Sequence, residues 1–327
     1  MSRSARLARS LVMVAGCAVG HSWHMTITES RPSSAPVGVV LHDQVDDAFV
    51  EQYRRDGFAV LRNAFSPDDL DAVRAETIRL VRGDLGSMTG AAPIVSPEDT
   101  DEEAMRKYLC IHFPHKLSDV FARYMHQPVV VDALTKVIGP NVKAMQSMFF
   151  IKAEGKPGQA WHQDEFYIPS RDRSITAAWI AIDDANVDNG CLWVIPGSHA
   201  PGIIYPDREH DDERFDCSVE LYNFPYTDED AVPVEVPAGA AVVFNGYLLH
   251  RSLPNNGVKG FRRAYVNHYM SAESLLPWRN PREGEHMAKT DDRDITMVAG
   301  VDPYAYKGIE HRHVASVRPD REGGCDR

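Results

Sequence analysis

Apolar residues fall into two regimes along the chain. Up to about residue 140 they recur at helical spacing; beyond it they gather in short β-branched and aromatic runs bounded by Gly, Pro, Asn or Asp. Phe49 and Tyr53, four apart within residues 46–55, predict a short helix that Asp56-Gly57 ends. The run FAVLRNAF then predicts a strand. Ser66-Pro67-Asp68-Asp69 predicts a helix start, with Ser as cap, Pro at the first helical position and acids in the first turn. Leu70, Val73, Ile78, Leu80 and Val81 supply its apolar residues, and residues 129–138 predict a further helix closed by Gly139-Pro140. Strands are predicted over 142–152, 174–183, 191–196, 233–236, 240–245 and 262–270. Helices first and short strands second predict an α+β fold: helices packed on a β core of the sandwich, barrel or jelly-roll kind.

Four stretches break the pattern. Residues 25–44 are rich in Pro, Ser and Thr without a period and read as a flexible arm. Residues 83–104 combine Gly, Ser, Pro and acids, the composition either of a mobile lid or of a surface insertion. Residues 200–231 form a long, charged, aromatic loop placed to cover the mouth of the core, and the tail after 280 is polar and expected to be irregular. The division is therefore an arm over 1–44 and one domain over 45–327. In the first 24 residues Arg3, Arg6 and Arg9 precede an apolar run, as in a weak signal peptide, and Val14-Ala15-Gly16-Cys17 resembles a lipoprotein cleavage box. The run is short for that role, and an upstream start codon with translation from Met25 is the preferred reading.

Composition narrows the class of function. Of 327 residues, 43% are hydrophobic and 25% charged, ordinary values for a globular chain. With 47 acidic against 35 basic residues the net charge is −12, unlike a nucleic-acid or anionic-membrane binder, and no stretch approaches the ~20 apolar residues of a membrane span. The five cysteines have no CxxC pair, so neither a zinc ribbon nor a disulfide framework is expected, and a reducing, cytoplasmic setting fits.

The sharpest local feature is Trp161-His162-Gln163-Asp164. On a strand, residues i and i+2 share a face, so His162 and Asp164 can offer a nitrogen and a carboxylate oxygen to one ion. Alone, such a triplet is weak. His250, at the end of the apolar run AAVVFNGYLL, adds a second nitrogen, and Gly260-Phe261-Arg262 adds a cation shortly after. Two His and one carboxylate with open positions is the pattern of non-haem Fe(II) oxygenases. The Arg suits the far carboxylate of a dicarboxylate co-substrate whose other end chelates the metal.

Residues 46–270 resemble the phytanoyl-CoA dioxygenase family of Fe(II)- and 2-oxoglutarate-dependent oxygenases. The likeness is densest in WHQDEFYIP, ITAAWIAIDDANVDNGCLWVIPGSH and LLHRSLPNNGVKGFRRAYVNHY. It implies a double-stranded β-helix with helices on one face, iron held by His162, Asp164 and His250, and 2-oxoglutarate and O2 as co-substrates. Arg262 would hold the distal carboxylate, helped by Ser252. Arg263 is the alternative, because the His-to-Arg interval is one residue longer than in the family's namesake, although strand alternation would point it away. Met148 and Trp179 match positions lining the co-substrate site, and Lys107 and Lys152 are looser candidates for which an ordinary surface lysine is the preferred reading. Halogenating relatives lack the carboxylate; the presence of Asp164 therefore implies hydroxylation or another oxidation.

Gln146, Phe150, Phe166 and Tyr167 flank the metal-bearing segment and are the candidates to face substrate. His112, His115 and His126 read as surface or supporting residues, His199 as part of a turn, and His268 as either a core histidine or a residue lining the site. An acyl-CoA would need basic residues for its phosphates, and this acidic chain has few clusters, so a small metabolite is the expected substrate. An acyl-CoA hydroxylase, a cupin-like metal protein without 2-oxoglutarate, and a non-catalytic binding module are the alternatives. No nucleic-acid or membrane partner is expected.

Overall fold

The computed structural model describes residues 39–318; the expectations for the earlier part of the N-terminal arm and its leader lie outside the described residues. One compact unit running from residue 36 contains every element below. The helix Asp47–Asp56 is capped by Asp46, whose side chain accepts from Phe49 N, and closed by Gly57 at φ 84°. Glycine is required there twice over, because an added Cβ would also stand 2.5 Å from His199 Nδ1. Ser66 and Asp69 form a capping box on the helix Pro67–Val81, and Pro128–Val137 is the third helix expected.

The strands of the core are β1 (Phe58–Leu61), β2 (Cys110–His112), β3 (Val142–Ala153), β4 (Gln159–His162), β5 (Thr176–Ala181), β6 (Leu192–Val194), β7 (Val232–Val234), β8 (Ala241–Asn245), β9 (His250–Ser252), β10 (Phe261–Ser271), β11 (Thr296–Ala299) and β12 (Ser316–Arg318). The large sheet runs β1-β8-β5-β10-β3-β2-β12, with β11 also on β3; the small one runs β7-β6-β9-β4. Met148, Trp179 and Val242 of the large sheet pack with Leu192, Val194 and Val234 of the small one in a shared core. Two sheets thus face each other as a jelly roll.

Alternation along the large sheet decides what each side holds. Phe149, Ile151, Ile180, Val243 and Tyr265 point outward and pack under the helices, against Phe49, Val73, Leu80, Phe121 and Leu134. Tyr265 and Tyr269 are fully buried there, their hydroxyls donating to the carbonyls of Phe121 and Met125 at 2.7 and 3.0 Å. The residues between them, Met148, Phe150, Trp179 and Val266, point inward to the cavity.

Three expectations are corrected. The tail after 280 is not irregular throughout: β11 pairs with β3, and β12 pairs with β2 on the outer part of the large sheet. The arm is tied at its end, where Leu41–His42 pairs in parallel with β1. Residues 83–104 are braced rather than featureless, since Thr100 and Glu103 cap the helix Asp101–Arg106 and Arg82 pairs with Asp101. Cysteine spacing was also an incomplete guide: Cys110 and Cys191 are free and buried, whereas Cys217 is disulfide-bonded.

Candidate metal centre

β4 and β9 are antiparallel neighbours with His162 directly opposite His250, which sets the two imidazole centroids 3.9 Å apart. β4 ends at His162, and Asp164 opens a short helix, Asp164–Tyr167, so the carboxylate does not leave from a strand as expected. Gln163 between them is still extended, at φ −130° and ψ 132°, so the i, i+2 relation survives the change of element. Its buried amide fixes this step, donating to Ile203 O and Tyr247 O at 3.0 and 2.7 Å and accepting from Tyr205 N. The ligand atoms of His162, Asp164 and His250 all lie within 4.8 Å of one another, and all three residues are buried.

Backbone carbonyls select the tautomers. His162 Nδ1 donates to Ala160 O at 2.8 Å and His250 Nδ1 donates to Leu248 O at 2.9 Å. Each ring therefore keeps its Nε2 lone pair for the interior, the arrangement typical of metal-ligating histidines. Burial drives the His162 pKa down to about 3, and the neighbouring His250 adds to the shift, so the ring stays neutral. Burial alone would raise Asp164, but His268 and His250 beside it outweigh this and hold the carboxyl below the usual range. His268 Nε2 donates to Asp164 Oδ2 at 3.2 Å, leaving Oδ1 on the side of His250 Nε2, 3.6 Å away. Two neutral nitrogens and one anionic oxygen on one side of an opening are a donor set that fits a divalent first-row metal.

The triad opens on a cavity of about 550 Å³. Arg262, Ser252, Trp179 and Met148 line it, as do Gln146, Phe150, Phe166 and Tyr167. Arg262 is 2% exposed, and its guanidinium lies 5.5 Å from the Trp179 ring centre. Its Nε has no hydrogen-bond partner, and among the described residues no carboxylate pairs with it. Burial lowers its pKa to about 10, which leaves it charged at neutral pH. Arg263 faces the other way, in a bidentate pair with Asp183 at 2.7 and 2.8 Å. Alternation thus turns Arg262 to the cavity and Arg263 away from it.

Lys107 is not brought to the cavity. Its ammonium binds Ile94 O and the Asp99 carboxylate, because it follows the short helix at the braced segment. Lys152, read as a surface residue, is 2% exposed instead. It donates to Ser252 Oγ at 3.0 Å and to Leu253 O at 2.5 Å. Burial, then the charge of Arg262, pushes its pKa well down. The parity of Met148, Phe150 and Lys152 on one strand was the signal that could have found it. His112 lies on β2 at the cavity wall rather than near a helix, with Gln146 Nε2 3.5 Å from its Nδ1. Arg318, on β12, also lines the cavity and carried no local signal in the sequence.

Three buried rings make stability pH-dependent. Burial holds His112 and His115 at about 4 and His162 at about 3, against an ordinary 6.5. Between those values the unfolded chain binds more protons, so stability is complete above about pH 6.5 and is lost as pH falls through the window. Glu165, which burial pushes up to about 7, works in the opposite direction, but one carboxyl opposes three rings. The Tm of metal-free protein is expected to be lower at pH 5 than at pH 7; an equal or higher value would contradict the buried neutral rings.

The family model described as phytanoyl-CoA dioxygenase (PhyH) matches residues 53–264. A Danio rerio "phytanoyl-CoA dioxygenase domain-containing protein 1" is 26% identical over 271 residues, covering 72% of this chain and 93% of that protein. The peroxisomal phytanoyl-CoA dioxygenase of Rattus norvegicus is 30% identical over 232 residues, covering 68% of this chain and 67% of its own. Among solved structures, the epimerase SnoN in complex with Fe3+, alpha-ketoglutarate and nogalamycin RO superposes with a TM-score of 0.53 at 20% identity, over 70% of this chain and 85% of SnoN. That last likeness is one of fold.

Proposed function

The chain belongs to the phytanoyl-CoA dioxygenase family, and from that premise we propose that it is an Fe(II)- and 2-oxoglutarate-dependent dioxygenase that oxidises a C–H bond of a small-molecule metabolite. The observation that carries the reading is a buried donor set of two neutral imidazoles and one carboxylate, sharing its cavity with a buried arginine that has no acidic partner.

In this reading His162 Nε2, His250 Nε2 and an Asp164 oxygen hold the iron. Arg262 binds the distal carboxylate of 2-oxoglutarate, and Ser252 stands beside that site with Lys152 on its hydroxyl. A buried guanidinium without a carboxylate is costly to leave unpaired, so the site selects an anion of the right reach. Trp179 gives the arginine an aromatic face and, with Met148, a dry wall. Bound together, the iron and 2-oxoglutarate supply dioxygen activation and C–H oxidation, with release of succinate and CO2. The protein contributes orientation: Gln163 fixes the ligand step, and His268 holds one oxygen of Asp164. Gln146, Phe150, Phe166 and Tyr167 are then the substrate-facing residues.

A small metabolite suits the cavity better than an acyl-CoA. A CoA moiety brings several phosphates, and besides Arg262 the cavity is lined by two arginines, Arg251 and Arg318, each with a carboxylate beside it, Asp228 and Asp216, that opposes a multiply charged anion. No helix among the described residues is long and apolar enough to cross a membrane. A cytoplasmic location is part of this proposal; the buried free thiols of Cys110 and Cys191 fit it, and the disulfide at Cys217 points the other way.

The test is an anaerobic visible titration of metal-free protein with Fe(II), then 2-oxoglutarate. A charge-transfer band that needs both components is expected. A folded, iron-loaded protein without that band would overturn 2-oxoglutarate dependence and favour a cupin-like metal protein.

A further inference from the structure

The cavity has a second cationic end. Arg318 on β12 pairs across the sheet with Cys110 on β2, which pairs with Phe150 on β3. Directly opposed residues share a face, and Phe150 faces the cavity, so Arg318 does too. Arg262 lies on β10, and the intervening order is β10-β3-β2-β12. Three inter-strand steps of about 4.8 Å put the two strands roughly 14 Å apart. In the dioxygenase reading 2-oxoglutarate reaches from Arg262 to the metal, so both its ends are engaged without Arg318.

The local chemistry of Arg318 is that of an anchored donor. Its side chain is 15% exposed, and Nη2 alone contacts Asp216, at 2.9 Å from each carboxylate oxygen. Asp216 is itself fixed, its Oδ1 accepting from Ser218 N at 3.0 Å and Ser218 Oγ at 2.6 Å. Arg–carboxylate pairs are frequently bidentate through two parallel N–H donors; this one uses a single nitrogen. Here the remaining guanidinium donors have no acceptor among the described residues, while Tyr167, Trp278 and His112 line the same cavity. Asp216 offsets part of the Arg318 charge, so this end opposes a doubly charged phosphate more strongly than a singly charged carboxylate.

We propose that Arg318 binds a carboxylate of the substrate, and that the substrate is therefore a small organic acid whose oxidised carbon lies between that carboxylate and the metal. Asp216 orients the guanidinium. The inference rests on the dioxygenase reading, because it takes the Arg262 end to be filled by 2-oxoglutarate.

The test uses straight-chain acids from hexanoate to dodecanoate, with benzoate and cinnamate, each against its primary amide. Binding is read in two ways: as a change in the visible band of the Fe(II)–2-oxoglutarate protein, and as a rise in Tm of metal-free protein. At least one acid is expected to bind where its amide does not. Arg318→Met should weaken that acid by at least about tenfold and leave the 2-oxoglutarate Kd within about twofold. Asp216→Asn removes the competing negative charge and should tighten the acid, whereas a merely structural pair would lose Tm and leave acid affinity unmoved. The proposal is overturned if no acid outbinds its amide, if acid binding survives Arg318→Met, or if that variant weakens 2-oxoglutarate equally. Should Arg318→Met fail to fold, the Asp216→Asn result decides alone. A missing band in the wild type would overturn the dioxygenase reading, while the Tm arm would still report on Arg318.

Discussion

Arg262→Ala is expected to raise the apparent Kd and KM for 2-oxoglutarate by roughly 30- to 700-fold, a loss of about 2–4 kcal/mol. The guanidinium is buried, has no carboxylate partner among the described residues, and sits against Trp179 at the wall of the cavity. Such a group interacts strongly with an anion because water does not screen the contact. Folding is not expected to suffer. The variant removes an unpaired buried charge next to Lys152, whose own pKa that charge depresses, so the Tm of metal-free protein should hold or rise. Arg263→Ala serves as the contrast, since it breaks the Asp183 pair on the other face and should lower Tm without moving 2-oxoglutarate affinity. Equilibrium titration with 2-oxoglutarate measures both. An Arg262→Ala Kd within twofold of wild type would remove the arginine from the co-substrate site.

Asp164→Ala is expected to cut Fe(II) affinity by more than about 100-fold and to take succinate formation below detection. Replacing a residue that only supports a ligand typically costs 10–100-fold, and loss of the one anionic donor should exceed that. What remains is His162 and His250, two neutral nitrogens whose Nδ1 protons are already committed to Ala160 and Leu248 carbonyls. They cannot supply the charge that offsets desolvation of a dication. The variant also leaves His268 Nε2 without its acceptor. Competition with a chromophoric chelator under anaerobic conditions gives the affinity, and succinate release gives the activity. Iron-loaded turnover within tenfold of wild type would mean that the metal is held elsewhere.

Much of the architecture was legible before any coordinates. The helices at Asp47–Asp56 and Pro67–Val81 announce themselves through caps and a closing glycine, because those ends are satisfied by residues a few positions away. The long strands β3 and β10 announce themselves by β-branched and aromatic runs. The two histidines and Asp164 were found because a metal site needs particular donors, and the HxD spacing survives even though β4 ends between its members. Lys107 and Lys152 read alike in the sequence because lysine type carries no mark of burial; only position separates them, since one follows a braced surface helix and the other shares strand parity with Met148 and Phe150.

The amino-acid sequence by itself determined the capped helices and the long core strands, which side of those strands is apolar, and which donor types are available to a metal. These follow from interactions spanning a few residues. The tertiary structure alone decided that His268 would hold Asp164, that Lys152 would be buried on Ser252, and that β12 would carry Arg318 to the far end of the cavity. Each of those contacts joins residues a hundred or more positions apart. The pairing order of strands sets them, and that order depends on how two sheets and a layer of helices close around one core.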